Sequence, residues 1–379
     1  MPFDVTSSAP GKILWIGGYS VLERPNVSYV TAVKAFVNVN IQSLEGNSII
    51  LDAPQLGMTA KGTLGNEGRL NIEVPKELIL LKTSAEVALR YAVANGAKPE
   101  GFTIHTKNDD VFSYSISGGK IVKSGLGSSA ALTVATVAAV LKAFDIKANK
   151  HKVHKLAQIS HSVATGKVGS GFDIAGACYG SIVYTRYSPD LVKTLPPDFS
   201  NKDLLKLVKK KWDYTAEKLY LPKDFRITFA NFIGESMVTT ASIGSVSEFK
   251  KNNPEKYNKL ISELNQTNSE AIDALRKLNG GDKASMTEFK EAFEKGRALS
   301  KELGNLSNVG IEPDDCTNLI EESKKNGAFV AKLPGAGGKD SIAAISLSRE
   351  EEKKLRKFWK GRKELDILKI KINKKGLSV

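Results

Sequence analysis

Short runs of β-branched and aromatic residues between turn signals dominate the first hundred positions. Ile13–Ile16, Tyr29–Ile41, Ser48–Leu51 and Gly101–Ile104 read as strands. The segment from Lys76 to Asn95 breaks that rhythm. Leu78, Leu81, Ala85, Ala88, Leu89 and Ala92 recur at helical spacing, and Gly96 follows as a stop. Ser128 to Phe144 predicts a buried helix. Asn149 to Thr165 predicts an amphipathic one, with Val153, Leu156, Ala157 and Ser160 on one side and lysines on the other. Tyr179 to Tyr187 returns to a strand pattern.

From Ser188 to Pro222 the chain is basic with helical spacing and includes Lys209-Lys210-Lys211, which reads as a solvated helical linker or insertion. A strand at Arg226–Phe232 opens the second half. Helices follow near Ser236–Lys251, Pro254–Leu278 and Lys283–Leu303, and a further one opens with Pro313-Asp314-Asp315, acidic residues suited to a positive helix terminus. Strands at Ala328–Leu333 and Ser341–Leu347, a helix at Glu350–Trp359 and a last strand at Leu368–Ile372 complete the pattern. The expected architecture is α+β: a first domain over 1–190, a helical linker or insertion over 191–225 and a second domain over 226–379.

With 379 residues, 41% of them hydrophobic and 25% charged, there is material for a sizeable core, and global disorder is excluded. Lysine and arginine number 55 against 41 acidic residues, a formal charge of +14 that favours anionic partners without choosing among nucleic acid, acidic lipid and phosphorylated metabolites. No aromatic pair is interleaved with the basic runs, so stacking on nucleic acid is not expected. Cys178 and Cys316 are too few for a disulfide framework or a four-thiolate metal site. His105, His151, His154 and His161 lack zinc-hydrolase spacing, and no Gly-x-Ser-x-Gly elbow is present. The most apolar run, Ala130 to Phe144, is interrupted by Thr133, Thr136 and Lys142, so no membrane span is expected. Nothing at the start marks the chain for secretion, and a cytoplasmic location is the expectation.

Glycine-bearing segments carry the candidate chemistry. The strongest is Ser124-Gly125-Leu126-Gly127-Ser128-Ser129-Ala130, directly ahead of the buried helix. Glycines let the backbone approach an anion, and a helix start adds unpaired N–H groups. Ser128 and Ser129 can cap the helix, donate to phosphate or offer an oxygen to a divalent ion; a tight turn with serine caps is the competing reading. The P-loop spacing is absent, because no Gly-Lys-Ser/Thr follows. Pro10-Gly11-Lys12 leads into the first strand, and Gly17-Gly18-Tyr19 leaves it. A lysine there can reach a phosphoryl group or serve only as a surface cation. Gly166 to Asp173 is a third glycine-rich turn, in which Asp173 can orient a nucleophile, pair with Lys12 or cap a helix; Pro334-Gly335-Ala336-Gly337-Gly338-Lys339 is a fourth, between two strands.

Together, Pro10-Gly11-Lys12, Gly125 to Ala130 and Gly335 to Gly338 closely resemble the three signature motifs of the GHMP small-molecule kinases, which include galactokinase, homoserine kinase, mevalonate kinase and phosphomevalonate kinase. The resemblance spans essentially the whole chain. It implies a ribosomal-protein-S5-like domain followed by a ferredoxin-like domain, with ATP and substrate in the cleft between them. The stretch Gly166 to Ala175 resembles the phosphomevalonate kinases within that superfamily, whereas mevalonate kinases carry a metal-binding Glu where this chain has Ser162. Gly18 replaces a common Glu, and Lys339 replaces the last glycine of the third motif.

The implied reaction moves the γ-phosphoryl group of ATP onto 5-phosphomevalonate. Lys12 and Asp173 are then the catalytic pair, and Gly125, Leu126, Gly127, Ser128, Ser129 and Ala130 cradle the nucleotide phosphates, with Ser128 or Ser129 near Mg²⁺. Ser236, Thr239 and Thr240 are implied as a further phosphate-contacting segment, against ordinary capping as the rival. Lys12, Tyr19, Lys123, Ser170, Gly337, Gly338 and Lys339 are implied on the acceptor side; for Lys339 a solvent-pointing side chain is the alternative. A monomer or homodimer without nucleic-acid or membrane partners is expected. The alternatives are mevalonate kinase or another kinase of the superfamily, and a non-catalytic basic scaffold or RNA-binding protein.

Overall fold

The computed structural model describes residues 2–115, 121–196, 198–233 and 239–379; within these, the side chains of 113–115, 121–123 and 239–241 are not described. The long strand β2 (Val27–Ser43) organises the first lobe. On one edge it pairs antiparallel with β1 (Asp4–Ile16), whose register shifts between Pro10 and Gly11. That irregularity bends β1 just ahead of Lys12, in the second half of the strand. Outward from β2 along the other edge run β6 (Phe102–Asn108), then β3 (Ser48–Ala53), β4 (Met58–Leu64) and the short β5 (Leu70–Asn71). Residues 27–30 of β2 pair instead with β9 (Ile182–Thr185), which pairs in turn with β10 (Thr215–Lys218). A separate small ribbon joins β7 (Ser113–Ser115) to β8 (Ile121–Lys123).

Helices α2 (Ser128–Ala143) and α4 (Phe172–Tyr179) pack on this sheet, and α1 (Ile79–Ala94) and α3 (Lys150–Thr165) pack against α2. The central α2 is built from alanine, valine and threonine, with only Ser128, Ser129, Leu132 and Lys142 not fully buried. Small side chains let it lie close against β1 and β2 on one side and α1 on the other. Apolar burial here forms the largest core of the molecule, from Ile13 and Trp15 through Val134, Val137 and Leu141.

The stretch expected as a helical linker holds two helices, α5 (Asp190–Lys193) and α6 (Asn201–Lys209), but also the strand β10. Leu204, Leu207 and Trp212 pack into the first core, so this segment is built onto the first lobe.

In the second lobe a four-stranded antiparallel sheet runs in the order β12 (Val330–Lys332), β13 (Ser341–Ser346), β11 (Arg226–Phe232), β14 (Leu365–Leu368). Its helices are α7 (Thr239–Asn252), the long pair α8 (Pro254–Asn279) and α9 (Ser285–Leu306), α10 (Asp314–Lys325) and α11 (Arg349–Lys360). Trp359, Leu355, Ile320 and Ile342 form a core of its own. The final strand predicted at Leu368–Ile372 divides into β14 and β15 (Ile372–Asn373). Only β14 stays with the second sheet: β15 pairs with Val33 and Ala32 of β2, and Ser378 exchanges backbone hydrogen bonds with Ser8 at 2.8 and 2.9 Å. Among the described residues no helix is long and apolar enough to cross a membrane.

Candidate active site

Lys12 lies where β1 meets the loop ahead of α2. Its backbone N–H donates to the Leu126 carbonyl at 2.8 Å, and its ammonium donates to the Gly125 carbonyl at 2.8 Å. Gly11 permits this contact, since a Cβ there would come within 2.9 Å of the Phe112 ring and 3.0 Å of Leu126 O. Gly127 caps α2 in the left-handed region, φ 84°, and a Cβ on it would lie 2.9 Å from Lys12 Cε. Two requirements meet at Gly127: a backbone angle that L-residues avoid, and room for the lysine stem. Leu126 and Ala130 are buried, while Ser128 and Ser129 are half-exposed in the first turn of α2. The amides of that first turn have no carbonyl partner within the helix, and the macrodipole adds positive potential.

Asp173 stands in the first turn of α4 behind Gly171, also left-handed at φ 79°. One of its carboxylate oxygens accepts from the Ile174 amide at 2.9 Å. Burial pushes the Lys12 ammonium below the usual lysine range, and the charge of Asp173 opposes that shift. The two expected catalytic residues are therefore electrostatic neighbours. The Lys12 ammonium is also 5.6 Å from the centre of the Phe172 ring, a cation–π contact. Gly176 lets α4 pass close, because a Cβ on it would lie 3.4 Å from Lys12 Cβ and 2.9 Å from the Val30 side chain.

The first and last glycine motifs touch. A Cβ on Gly18 would be 3.1 Å from Gly335 O, and the buried Tyr19 donates its hydroxyl to Ala336 O at 3.0 Å. Burial pushes the Tyr19 phenol up to about 12, so it stays a donor across neutral pH. Gly337 and Gly338 are buried against the turn at Ile311: a side chain at 337 would collide with Ile311 O, to which Gly338 N–H donates at 2.9 Å. Lys339 is exposed and ion-paired with Asp315 of α10. Ser170 is half-exposed in the turn ahead of α4. Lys123 ends β8, and Thr239 and Thr240 begin α7; their side chains, and Ser236 altogether, lie outside the described residues.

Two contributors were not predicted. Lys332, at the end of β12, donates to the carbonyl of Trp15 at 3.0 Å and so ties the third motif's strand to β1. Burial pushes its ammonium down to about 8, partly offset by Glu312, while Arg297 adds to the fall. Its position three residues before Gly335 was the available signal. Gln158 of α3 donates to Gly171 O at 2.9 Å and holds the turn that presents Asp173. Nothing in the spacing of α3 marked it.

Residues 81–181 match the model of the GHMP kinases N terminal domain, and residues 271–364 match that of the GHMP kinases C terminal. The phosphomevalonate kinase of Candida albicans is 30% identical over 90% of this chain and 89% of its own length. The chain belongs to the GHMP kinase family. As a GHMP kinase it has the family's two-domain α+β fold, S5-like and then ferredoxin-like. The phosphomevalonate kinase of Saccharolobus solfataricus is 32% identical, covering 94% of this kinase and 93% of the relative. In fold, it superposes on the solved Streptococcus pneumoniae phosphomevalonate kinase in complex with phosphomevalonate and AMPPNP with a TM-score of 0.75, at 18% identity over 98% of this chain and 100% of that one.

Proposed function

We propose that this kinase transfers the γ-phosphoryl group of ATP to the phosphate of 5-phosphomevalonate, giving 5-diphosphomevalonate and ADP. The observation that carries the reading is the buried Lys12 ammonium seated on the Gly125–Gly127 loop at the start of α2, with the charge of Asp173 acting on it. The choice of acceptor is supported by the relatives named phosphomevalonate kinase that align along nine-tenths or more of the chain.

In this reading the amides at the α2 start and the Ser128 and Ser129 hydroxyls receive the nucleotide phosphates. Among the described residues no group of three or more His, Cys, Asp or Glu side chains converges as a metal site. A Mg²⁺ ion there would draw on phosphate oxygens and a hydroxyl of Ser128 or Ser129, which are half-exposed at the right helix end. When bound, the ion supplies charge neutralisation between phosphate oxygens. Lys12 offsets the charge that redistributes as the phosphoryl group moves, and Asp173 keeps the lysine charged and placed. The acceptor is a phosphate monoester with a second pKa near ~6, already largely dianionic at neutral pH. A strong general base is then unnecessary, and placement is the larger task. In this reading Tyr19 and Ser170 serve the acceptor together with Gly337, Gly338 and Lys339 of the third motif; Lys123 is assigned to the acceptor, and Thr239 and Thr240 to the nucleotide, on the family resemblance alone.

ADP release from the purified protein, measured with 5-phosphomevalonate, mevalonate and unrelated phosphorylated acids, tests the proposal. Turnover with 5-phosphomevalonate and a diphosphate product is expected. Turnover with mevalonate instead would reassign the acceptor, and none with any acceptor would remove the kinase reading.

A further inference from the structure

A groove of about 720 Å³ opens where the two lobes and the returning C-terminal segment meet. None of its lining residues belongs to the candidate active site. Seven cations line it: Lys34 of β2, Lys223, Arg226 of β11, Arg356 of α11, and Lys369, Lys371 and Lys374 of the returning segment. Its one lining carboxylate, Glu352, already accepts from Arg356 at 3.1 Å. The other six are exposed, and among the described residues none forms an ion pair. Elsewhere the same kind of surface is neutralised, as in Arg276–Glu217, Lys277–Glu288 and Lys301–Asp314. With seven cations and one carboxylate, the lining of this one concavity carries a net charge of +6.

Like charges crowded round a concave surface repel one another, and a concavity focuses the field they create, so the local concentration of anions rises. The backbone reinforces the arrangement. On the edge of β2 away from β1, Lys34 N–H donates to Lys371 O at 2.7 Å, which brings cations of two segments side by side. The groove volume falls in the range of small-molecule sites, ~300–1,000 Å³. Nucleic acid is disfavoured by the absence of a stacking ring: Phe225 is only 4% exposed, and Tyr220 has Lys374 over it at 5.1 Å. We propose that this groove is a second anion site, separate from the Lys12 loop, that binds a small polyphosphorylated ligand, either an oligophosphate or a nucleoside polyphosphate. Its occupant would bridge β2, β11 and the returning segment, and so clamp the lobes at their seam.

The test is calorimetric titration of the full chain with inorganic tripolyphosphate at low ionic strength, and in parallel with ADP. The variant Lys34→Gln/Arg226→Gln/Lys371→Gln removes three cations and leaves every active-site residue in place. Tripolyphosphate should bind the parent at the groove, and the triple variant should lose that binding by about tenfold or more while kcat and the KM for ATP stay unchanged. ADP binding with two equivalents in the parent and one in the variant would identify a nucleotide site; one equivalent in both would identify an oligophosphate site. Equal tripolyphosphate binding by parent and variant overturns the proposal. So does groove-dependent binding of a single-stranded oligonucleotide without any of tripolyphosphate. If the triple variant fails to fold, Lys223→Gln/Lys369→Gln, which changes two exposed side chains, decides the same question by the same loss.

Discussion

Replacing Gly127 with alanine puts two separable demands on the molecule. The backbone angle of φ 84° costs a residue with a Cβ roughly 1–2 kcal/mol in stability. The new methyl group would also stand 2.9 Å from Lys12 Cε, 3.3 Å from Cγ and 3.6 Å from Cδ. The far end of a lysine moves easily, so the contact adds little to the stability loss. Movement has a different consequence for catalysis, because it takes the ammonium off the Gly125 carbonyl at 2.8 Å. Deleting a charge-stabilising donor typically lowers kcat by ~10²–10³, or about 2.7–4 kcal/mol, which sets the ceiling for a displaced Lys12. Gly127→Ala should accordingly lower kcat by about tenfold or more within that ceiling. A double-mutant cycle separates the causes. Lys12→Ala alone removes the ammonium and the stem; adding Gly127→Ala should then cost no further kcat, only the backbone term in stability. The expected coupling is ~1–3 kcal/mol in activation free energy. The measurements are kcat for the four proteins with ATP and 5-phosphomevalonate, and denaturant midpoints for each. Additive effects on kcat, within ~0.5 kcal/mol, would refute the view that Gly127 acts through Lys12.

Lys12→Met keeps length without charge and should lower kcat by roughly 10²–10³, whereas Asp173→Asn should slow turnover without abolishing a basic limb of the kcat–pH profile; an active Lys12→Met enzyme would sink the electrostatic role. The Lys332 ammonium titrates near 8 in the fold and near 10.5 when unfolded, so between those values the unfolded chain holds the extra proton and stability rises with pH. Relative to Lys332→Met, the parent should gain up to roughly 3 kcal/mol from about pH 8 to 10.5, and parallel stability–pH curves would contradict the burial argument. Gln158→Met removes one of the two donors to the Gly171 carbonyl, leaving the Ala175 amide at 3.0 Å, and should lower kcat with little change in the KM for ATP, while Gln158→Glu, which keeps the length but cannot donate when ionised, should not rescue it.

The legible parts of the fold were those written in local periodicity. The cores of β1 and β2, the helices α1 to α3 and the pair α8 and α9 lie where the apolar spacing put them. The strand β10 was illegible for a physical reason: Thr-Ala-Glu-Lys is a mostly exposed edge with no alternating buried face, and only its pairing with β9 makes it a strand. The division of the last strand was hidden in the same way, since Ile372 and Asn373 find their partners some 340 positions earlier in the chain. At the candidate site, glycine motifs were visible because close backbone approach leaves a compositional trace. Gln158 leaves none, and Lys332 only its place three residues before Gly335. A lysine in a strand reads as solvent-facing until a carbonyl from another lobe is found to meet it, and a glutamine holding a turn looks like any helix polar residue.

The returning C-terminal segment bears on how the molecule is made. The ribosome releases the strands and helices of the first lobe long before residues 372–378 exist. Until then Val33 and Ala32 of β2 are paired with β1 on one edge only, Ser8 lacks Ser378, and the backbone of Cys178 lacks the Leu377 amide that reaches it at 3.1 Å. Domains generally fold in order of synthesis, but here the earliest strand waits for the latest. The nascent first lobe carries an unfinished seam through synthesis of the entire second lobe, and completion couples the two into one cooperative unit. Cutting the chain between the lobes would yield a fragment missing its own last strand, and only a design that restores residues 372–378 in trans or by circular permutation would supply it.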